Sequence, residues 1–228
     1  NFHFEKPYKL TDLKPFIGII HEFELKKYDF WGMGDLDLVY GNLGMVINDA
    51  NLNKYDVITT HNYHIAGHSC FCRNNEYYRN LCFKIKDWER KITNEKALSI
   101  DECEWSNLVC PFMITIRRIH RYLCKPFGIH LFKVLDAFHP IMHKKIYLHE
   151  FWTSPQPHSN ERWFYYPHNN KLINPNKKEL PYLHFLFFKK TQWLETDSYW
   201  KEGFYKLEEN INKYKCIQID GSQIMGKL

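Results

Sequence analysis

The chain reads as an α/β protein. Short β-type runs alternate with stretches of helical periodicity. At 228 residues the chain is long enough for one substantial core. A content of 44% hydrophobic and 25% charged residues is that of a globular domain. The β-type runs are Leu38–Tyr40, Asp56–Thr59, 129–135, Lys145–Leu148, Trp163–Tyr166 and Tyr182–Lys190. Helical spacing is seen over Pro15–Leu25, from Val46 and Ile47 to Asn53, over Asn75–Arg90, from Ser99 to Trp105 and around Ile116–Leu123.

In order, Pro15 is placed to open a helix through Phe16, Ile19, Ile20, Phe23 and Leu25. The next stretch, Phe30-Trp31-Gly32-Met33-Gly34-Asp35-Leu36-Asp37, runs from aromatic residues into two carboxylates spaced i, i+2. Side chains alternate along a strand, so Asp35 and Asp37 are expected on one face at a strand end, where both reach one hard cation and the phosphates it bridges. An acidic turn punctuated by Gly32 and Gly34 is the alternative. His61, His64 and His68 lie within eight residues, but no neighbouring carboxylate or thiol pattern in the sequence completes a zinc set. Gly67 permits close approach of a backbone to a ligand, and the adjacent histidines are suited to sugar hydroxyls.

Asn75–Arg90 is expected as an amphipathic helix burying Tyr78, Leu81, Cys82, Ile85 and Trp88. Ser99 is a candidate cap for a helix with Asp101 and Glu102 in its first turn. Arg117, Arg118, Arg121 and Lys125 form a basic face that suits a solvated surface or anionic head groups. Trp163–Tyr166 should form a hairpin around Asn169-Asn170, and the last forty residues, polar and weakly periodic, read as peripheral.

Composition narrows the partners. The net charge of +5 fits an anionic ligand, yet no basic run is dense enough to argue for nucleic acid. The 17% aromatic content suits stacking on rings or sugars and is explained equally well by an AT-rich coding bias. Seven cysteines, odd in number and irregularly spaced, read as reduced thiols of a cytoplasmic protein. No apolar run is long enough to span a bilayer.

The combination Lys6-Pro7-Tyr8-Lys9-Leu10-x-Asp12-x-Lys14-Pro15, then Tyr28-Asp29-Phe30-Trp31-Gly32-x-x-Asp35-Leu36-Asp37-Leu38-x-x-Gly41-Asn42, with Gly67-His68 ahead of Arg73-Asn74 and Tyr182-Leu183-His184 ahead of Lys189-Lys190, resembles a family of bacterial glycosyltransferases found with capsule and lipopolysaccharide genes. The resemblance covers the chain to about Lys190 and is most specific at Phe-Trp-Gly-x-x-Asp-Leu-Asp-Leu. It implies a GT-A fold, a Rossmann-like mixed sheet flanked by helices, over residues 1–190, with 191–228 as a peripheral extension. It also implies transfer of a sugar, in hexosyltransferase fashion, from a nucleotide-diphosphate donor (UDP-sugar as the prior) to a glycan or lipid-linked acceptor. The expected setting is cytoplasmic, at the inner face of the membrane.

By that resemblance Asp35, Asp37 and His184 hold Mn²⁺ or Mg²⁺. Lys9, Asp12, Lys14, Lys189 and Lys190 bind the donor, and Gly67 and His68 face the sugar or acceptor. Asp101, with Glu102 as its neighbour, is the catalytic base if the enzyme inverts configuration. GT-A domains normally place two or three strand–helix units before the Asp-x-Asp strand. Here thirty-four residues precede Asp35, so either the front portion carrying the base pocket is missing from this chain or base recognition is supplied elsewhere. A carbohydrate-binding module and a metal-dependent nucleotidyltransferase or phosphohydrolase are the competing readings.

Overall fold

A computed structural model describes residues 7–62, 64–111, 115, 119, 122, 145–156, 161–186, 188, 205–206, 210–221 and 223–228. Helices and mixed sheets alternate in it, an α/β arrangement. The chain divides into two units, the first made of Asn1–Asp35 and Asp49–Glu150, the second of Leu36–Asn48 and Phe151–Leu228. Each is built around its own sheet and core.

The first unit opens with a 3₁₀ segment, Pro7–Phe16, followed by the short helices α1 (Ile17–Ile20) and α2 (Glu22–Leu25). Helical structure thus begins ahead of Pro15 and breaks at His21. Strand β1 (Phe30–Gly34) follows, with Trp31 and Met33 buried and Gly32 and Gly34 exposed. That alternation is what a half-buried strand requires. A side chain at Gly18 would meet the Trp31 ring at 2.7 Å, so α1 packs directly on the indole.

Strand β2 (Leu38–Tyr40) belongs to the second unit. The first sheet is completed by β3 (Val57–Thr59), β4 (Ser69–Arg73) and β5 (Ile146–Leu148), in the order β1-β4-β3-β5. β4 is antiparallel to both its neighbours, while β3 and β5 run parallel. Around it lie α3 (Asp49–Lys54), α4 (Glu76–Asn80), α5 (Trp88–Ile92) and α6 (Trp105–Val109). The core gathers Phe16, Trp31, Met33, Val57, Ile65, Cys70, Cys72, Leu81, Ile100 and Trp105.

The helix expected over Asn75–Arg90 is broken: a 3₁₀ turn, Leu81–Lys84, follows α4, and Asp87 in the left-handed region (φ 54°) restarts the chain into α5. The stripe is nevertheless the core-facing one, since Leu81, Cys82 and Ile85 are buried and Tyr78 and Trp88 pack on them. Ser99, expected as a cap, makes no capping bond; it is left-handed (φ 53°) and leads into a wide π-type turn, Ile100–Glu104, before α6.

The second unit holds β6 (Trp163–Tyr166), β7 (Lys171–Ile173), β8 (Glu179–Leu180), β9 (Tyr182–His184), β10 (Tyr205–Lys206), β11 (Cys216–Ile219) and β12 (Ile224–Lys227). Six of these form a sheet in the order β10-β12-β11-β6-β7-β8, and β2 pairs antiparallel with β9. The expected β6–β7 hairpin is present, turning through Asn170 in the left-handed region. The peripheral reading of the C-terminal residues needs correction: β11 lies inside the sheet and its Ile217 and Ile219 are buried with Trp163, Leu172 and Leu183.

The expected helix around Ile116–Leu123, the strand over 129–135 and the basic face at Arg117, Arg118, Arg121 and Lys125 lie outside the described residues. Among the described residues no helix is long and apolar enough to cross a membrane. The described cysteines are free thiols, with Cys70, Cys72, Cys82 and Cys110 buried.

Candidate functional site

Asp35 and Asp37 do not alternate along one strand. β1 ends at Gly34, the chain bends over Asp35–Asp37, and β2 begins at Leu38. Leu36 between them is fully exposed, while both carboxylates are half-buried. Each is best understood within its own unit.

In the second unit, Asp37 is fixed by the β2–β9 ladder. Leu38 pairs with His184, and the Phe185 amide donates to the Asp37 carbonyl at 2.8 Å. The His184 Nε2 atom lies 3.7 Å from Asp37 Oδ1. His184 is buried, its amide donates to the Thr153 carbonyl at 2.9 Å, and the Ser154 hydroxyl stands 3.4 Å from its Nδ1. One ring nitrogen is therefore engaged from behind while the other faces a carboxylate. That is how metal-binding imidazoles are commonly oriented. Within the second unit, Asp37 and His184 bring together a carboxylate and an imidazole, two ligand types that suit a divalent transition-metal ion. Thr153 and Ser154 were not legible as His184's supports, because thirty residues of chain separate them from it.

In the first unit, the 3₁₀ segment aims Lys14 at two carboxylates. Its ammonium bonds Asp35, donates to the Gly67 carbonyl at 2.9 Å and lies 3.3 Å from Asp101 Oδ2. Burial works to lower the Lys14 pKa, but the bond to Asp35 and the charges of Asp101 and Asp35 outweigh it and the pKa is raised. Asp101 moves the other way from its usual value: burial lifts it to about 6, against the pull of Lys14 and with help from Glu102. Tyr8 reports the same negative field, its hydroxyl raised by burial, then by Asp101, Glu102 and Asp35.

The residues expected at the donor and acceptor sites are distributed differently. Lys9 and Asp12 are sealed inside the first unit, 1% and 0% exposed, paired at 2.7 Å. Lys9 also donates to the carbonyls of Lys91 and Lys96, and Asp12 accepts from the amides of Leu98 and Ile100. They clamp the segment that leads into the Asp101 turn and present nothing to a nucleotide. Lys14 is an internal partner of Asp35 and Asp101, not a surface phosphate ligand. Gly67 and His68 are buried, so neither offers a face to an acceptor. Gly67 is there for space: a Cβ on it would lie 2.3 Å from Asp101 Oδ2 and 2.9 Å from Glu102 Cγ. Glu102 is half-buried beside Asp101. Lys189 and Lys190 lie outside the described residues.

The histidine segment acquires a carboxylate that the sequence did not reveal. His61 Nδ1 is 3.0 Å from Glu150 Oε2, and the His61 ring stacks on His64 at 4.5 Å and meets His68 edge-on at 5.2 Å. Among the described residues these groups do not gather tightly enough to form a metal set.

Residues 1–215 match the model of a family of unknown function, DUF6625, and the chain belongs to that family. No curated protein and no solved structure matches it.

Proposed function

We propose that the chain is a metal-dependent glycosyltransferase of the GT-A kind, moving a sugar from a nucleotide-diphosphate donor to a glycan or lipid-linked acceptor in surface-polysaccharide synthesis. The observation that carries this reading is the Asp37–His184 pair, braced by Thr153 and Ser154 and preceded two residues earlier by Asp35. Two carboxylates and one imidazole fit Mn²⁺, and Mg²⁺ less closely. A cation held there would supply a Lewis acid for the negative charge that gathers on the donor's β-phosphate as the sugar leaves.

The chain's own groups do the rest. Asp35 and Asp37 set where the diphosphate is held, and His184 keeps its ring fixed through Ser154. Asp101 takes the proton of the acceptor hydroxyl in an inverting reaction. A carboxylate lifted to about 6 is matched to that task near neutral pH, better than one at its ordinary value. Lys14 holds Asp101 in place through a bond that also reaches the Asp35 carboxylate.

The test is product analysis after incubation with a panel of nucleotide sugars, with and without Mn²⁺. Metal-dependent release of an intact nucleoside diphosphate, lost in Asp37→Ala, is expected. Release of pyrophosphate or phosphate would identify a nucleotidyltransferase or phosphohydrolase instead. Glycan binding insensitive to EDTA, with no turnover, would identify a carbohydrate-binding module.

A further inference from the structure

We propose that the surface made by α2 and the residues after it to Tyr28, together with α4 and the 3₁₀ turn Leu81–Lys84, docks the protein on an anionic lipid surface. The proposal lies within the first unit and uses none of the metal-site residues, so the two readings can fail separately. Helical spacing marks Ile20 and Phe23 for the same buried stripe as Phe16, but the helix breaks at His21 and both are exposed. Phe23 is 75% exposed, and Tyr28, Tyr77 and Phe83 are exposed as well. Side-chain bonds hold the two segments next to each other. Arg79 Nη2 of α4 lies 3.0 Å from Glu22 Oε1 of α2, and the Asn74 side-chain amide donates at 2.7 Å to the carbonyls of both Leu25 and Tyr28.

Large apolar side chains gathered in water mark a contact surface, and here three of the four rings carry a cation. The Lys26 ammonium lies 4.2 Å from the centre of the Phe23 ring, Lys27 5.2 Å from that of Tyr28 and Lys84 4.8 Å from that of Tyr77. Among the described residues none of these three lysines is in an ion pair, whereas Glu22 and Glu24 of α2 face Arg79 and His21. Over residues 20–28 and 76–86 the basic side chains Lys26, Lys27, Arg79, Lys84 and Lys86 outnumber the acids Glu22, Glu24 and Glu76. Unpaired ammonium groups suit a layer of anionic head groups. The rings beside them suit the boundary beneath, where amphipathic aromatics and lysine stems gather. A nucleic acid would call for a denser basic run. Cations interleaved with exposed rings fit a broad surface, charged above and apolar below, which a lipid leaflet supplies.

Sedimentation of the full chain with lipid vesicles tests the proposal. Binding to vesicles of phosphatidylcholine and phosphatidylglycerol in equal parts is expected, with little binding to phosphatidylcholine alone and release as salt is raised. The triple variant Lys26→Gln, Lys27→Gln, Lys84→Gln should bind about a hundredfold more weakly, at about fivefold per lysine. Phe23→Ser combined with Tyr28→Ser, every lysine in place, should bind about tenfold more weakly. These are surface changes and should leave the unfolding midpoint where it is. If the serine variant does not fold, Phe23→Gln alone takes its place. No binding of the unaltered chain to the mixed vesicles overturns the proposal, and so does binding that neither variant weakens. A loss confined to the lysine variant also overturns it, since that is the mark of a soluble polyanion such as an acidic protein or a nucleic acid.

Discussion

Asp101 is a carboxyl that the fold makes expensive to ionise. Its pKa rises from 3.8 to about 6 because burial outweighs the help of Lys14. Between those values the folded state binds more protons than the unfolded one, so stability falls as pH rises from about 4 to 6 and is level above that. The loss is on the order of 3 kcal/mol when fully developed. Asp101→Asn should therefore show no such fall and should gain on the unaltered chain above pH 6, as read by denaturant unfolding at several pH values. Gly67→Ala should destabilise and displace Asp101, because its new methyl would sit 2.3 Å from Oδ2. The Lys9–Asp12 pair shows where residue-level reading fails. From sequence, Lys9, Asp12 and Lys14 look alike, three charged residues beside an acidic motif, yet two of them are buried and bound to backbone more than eighty residues away. Asp12→Ala should cost about 3–5 kcal/mol, since it strands a buried ammonium. The expected outcome is a large drop in the unfolding midpoint; an unchanged midpoint would refute the clamp.

At the scale of elements, strands were more legible than helices. β3, β5, β6 and the start of β9 fall where β-branched and aromatic runs put them, because a strand needs only a few residues of the right type. The helices broke at positions no periodicity announces: left-handed Asp87 and Ser99 reset the chain while the apolar stripe continues through them. The Asp-x-Asp stretch was recognised as an acidic pair at a strand's end, but its bend was not, since the turn is set by β2 pairing with β9 nearly 150 residues away. That pairing also gives Gly41 its reason. A Cβ there would lie 2.6 Å from Leu172 Cβ and 2.8 Å from the Leu180 carbonyl, both held by the sheet. Gly41→Ala should cost about 1–3 kcal/mol through overpacking, measured as a lower unfolding midpoint, and should loosen the strand that presents Asp37.

For the molecule as a whole, the sequence was sufficient for the α/β class but not for the division into two units, nor for the C-terminal strand inside the second sheet. Polar composition hid β11: only Ile217 and Ile219 of its four residues face the core cluster, too short a pattern to stand out in a polar tail. His184 could be singled out from sequence as a candidate metal ligand only through a resemblance, because its approach to Asp37 depends on strands that pair across the chain. Membership of the DUF6625 family carries no chemistry by itself, so the account turns on the cation. A Mn²⁺ titration followed by electron paramagnetic resonance tests it most directly. The account predicts one saturable ion per chain, lost in Asp37→Ala and in His184→Ala while both variants keep the unfolding transition of the unaltered protein. Equal Mn²⁺ uptake by the unaltered chain and both variants would contradict it.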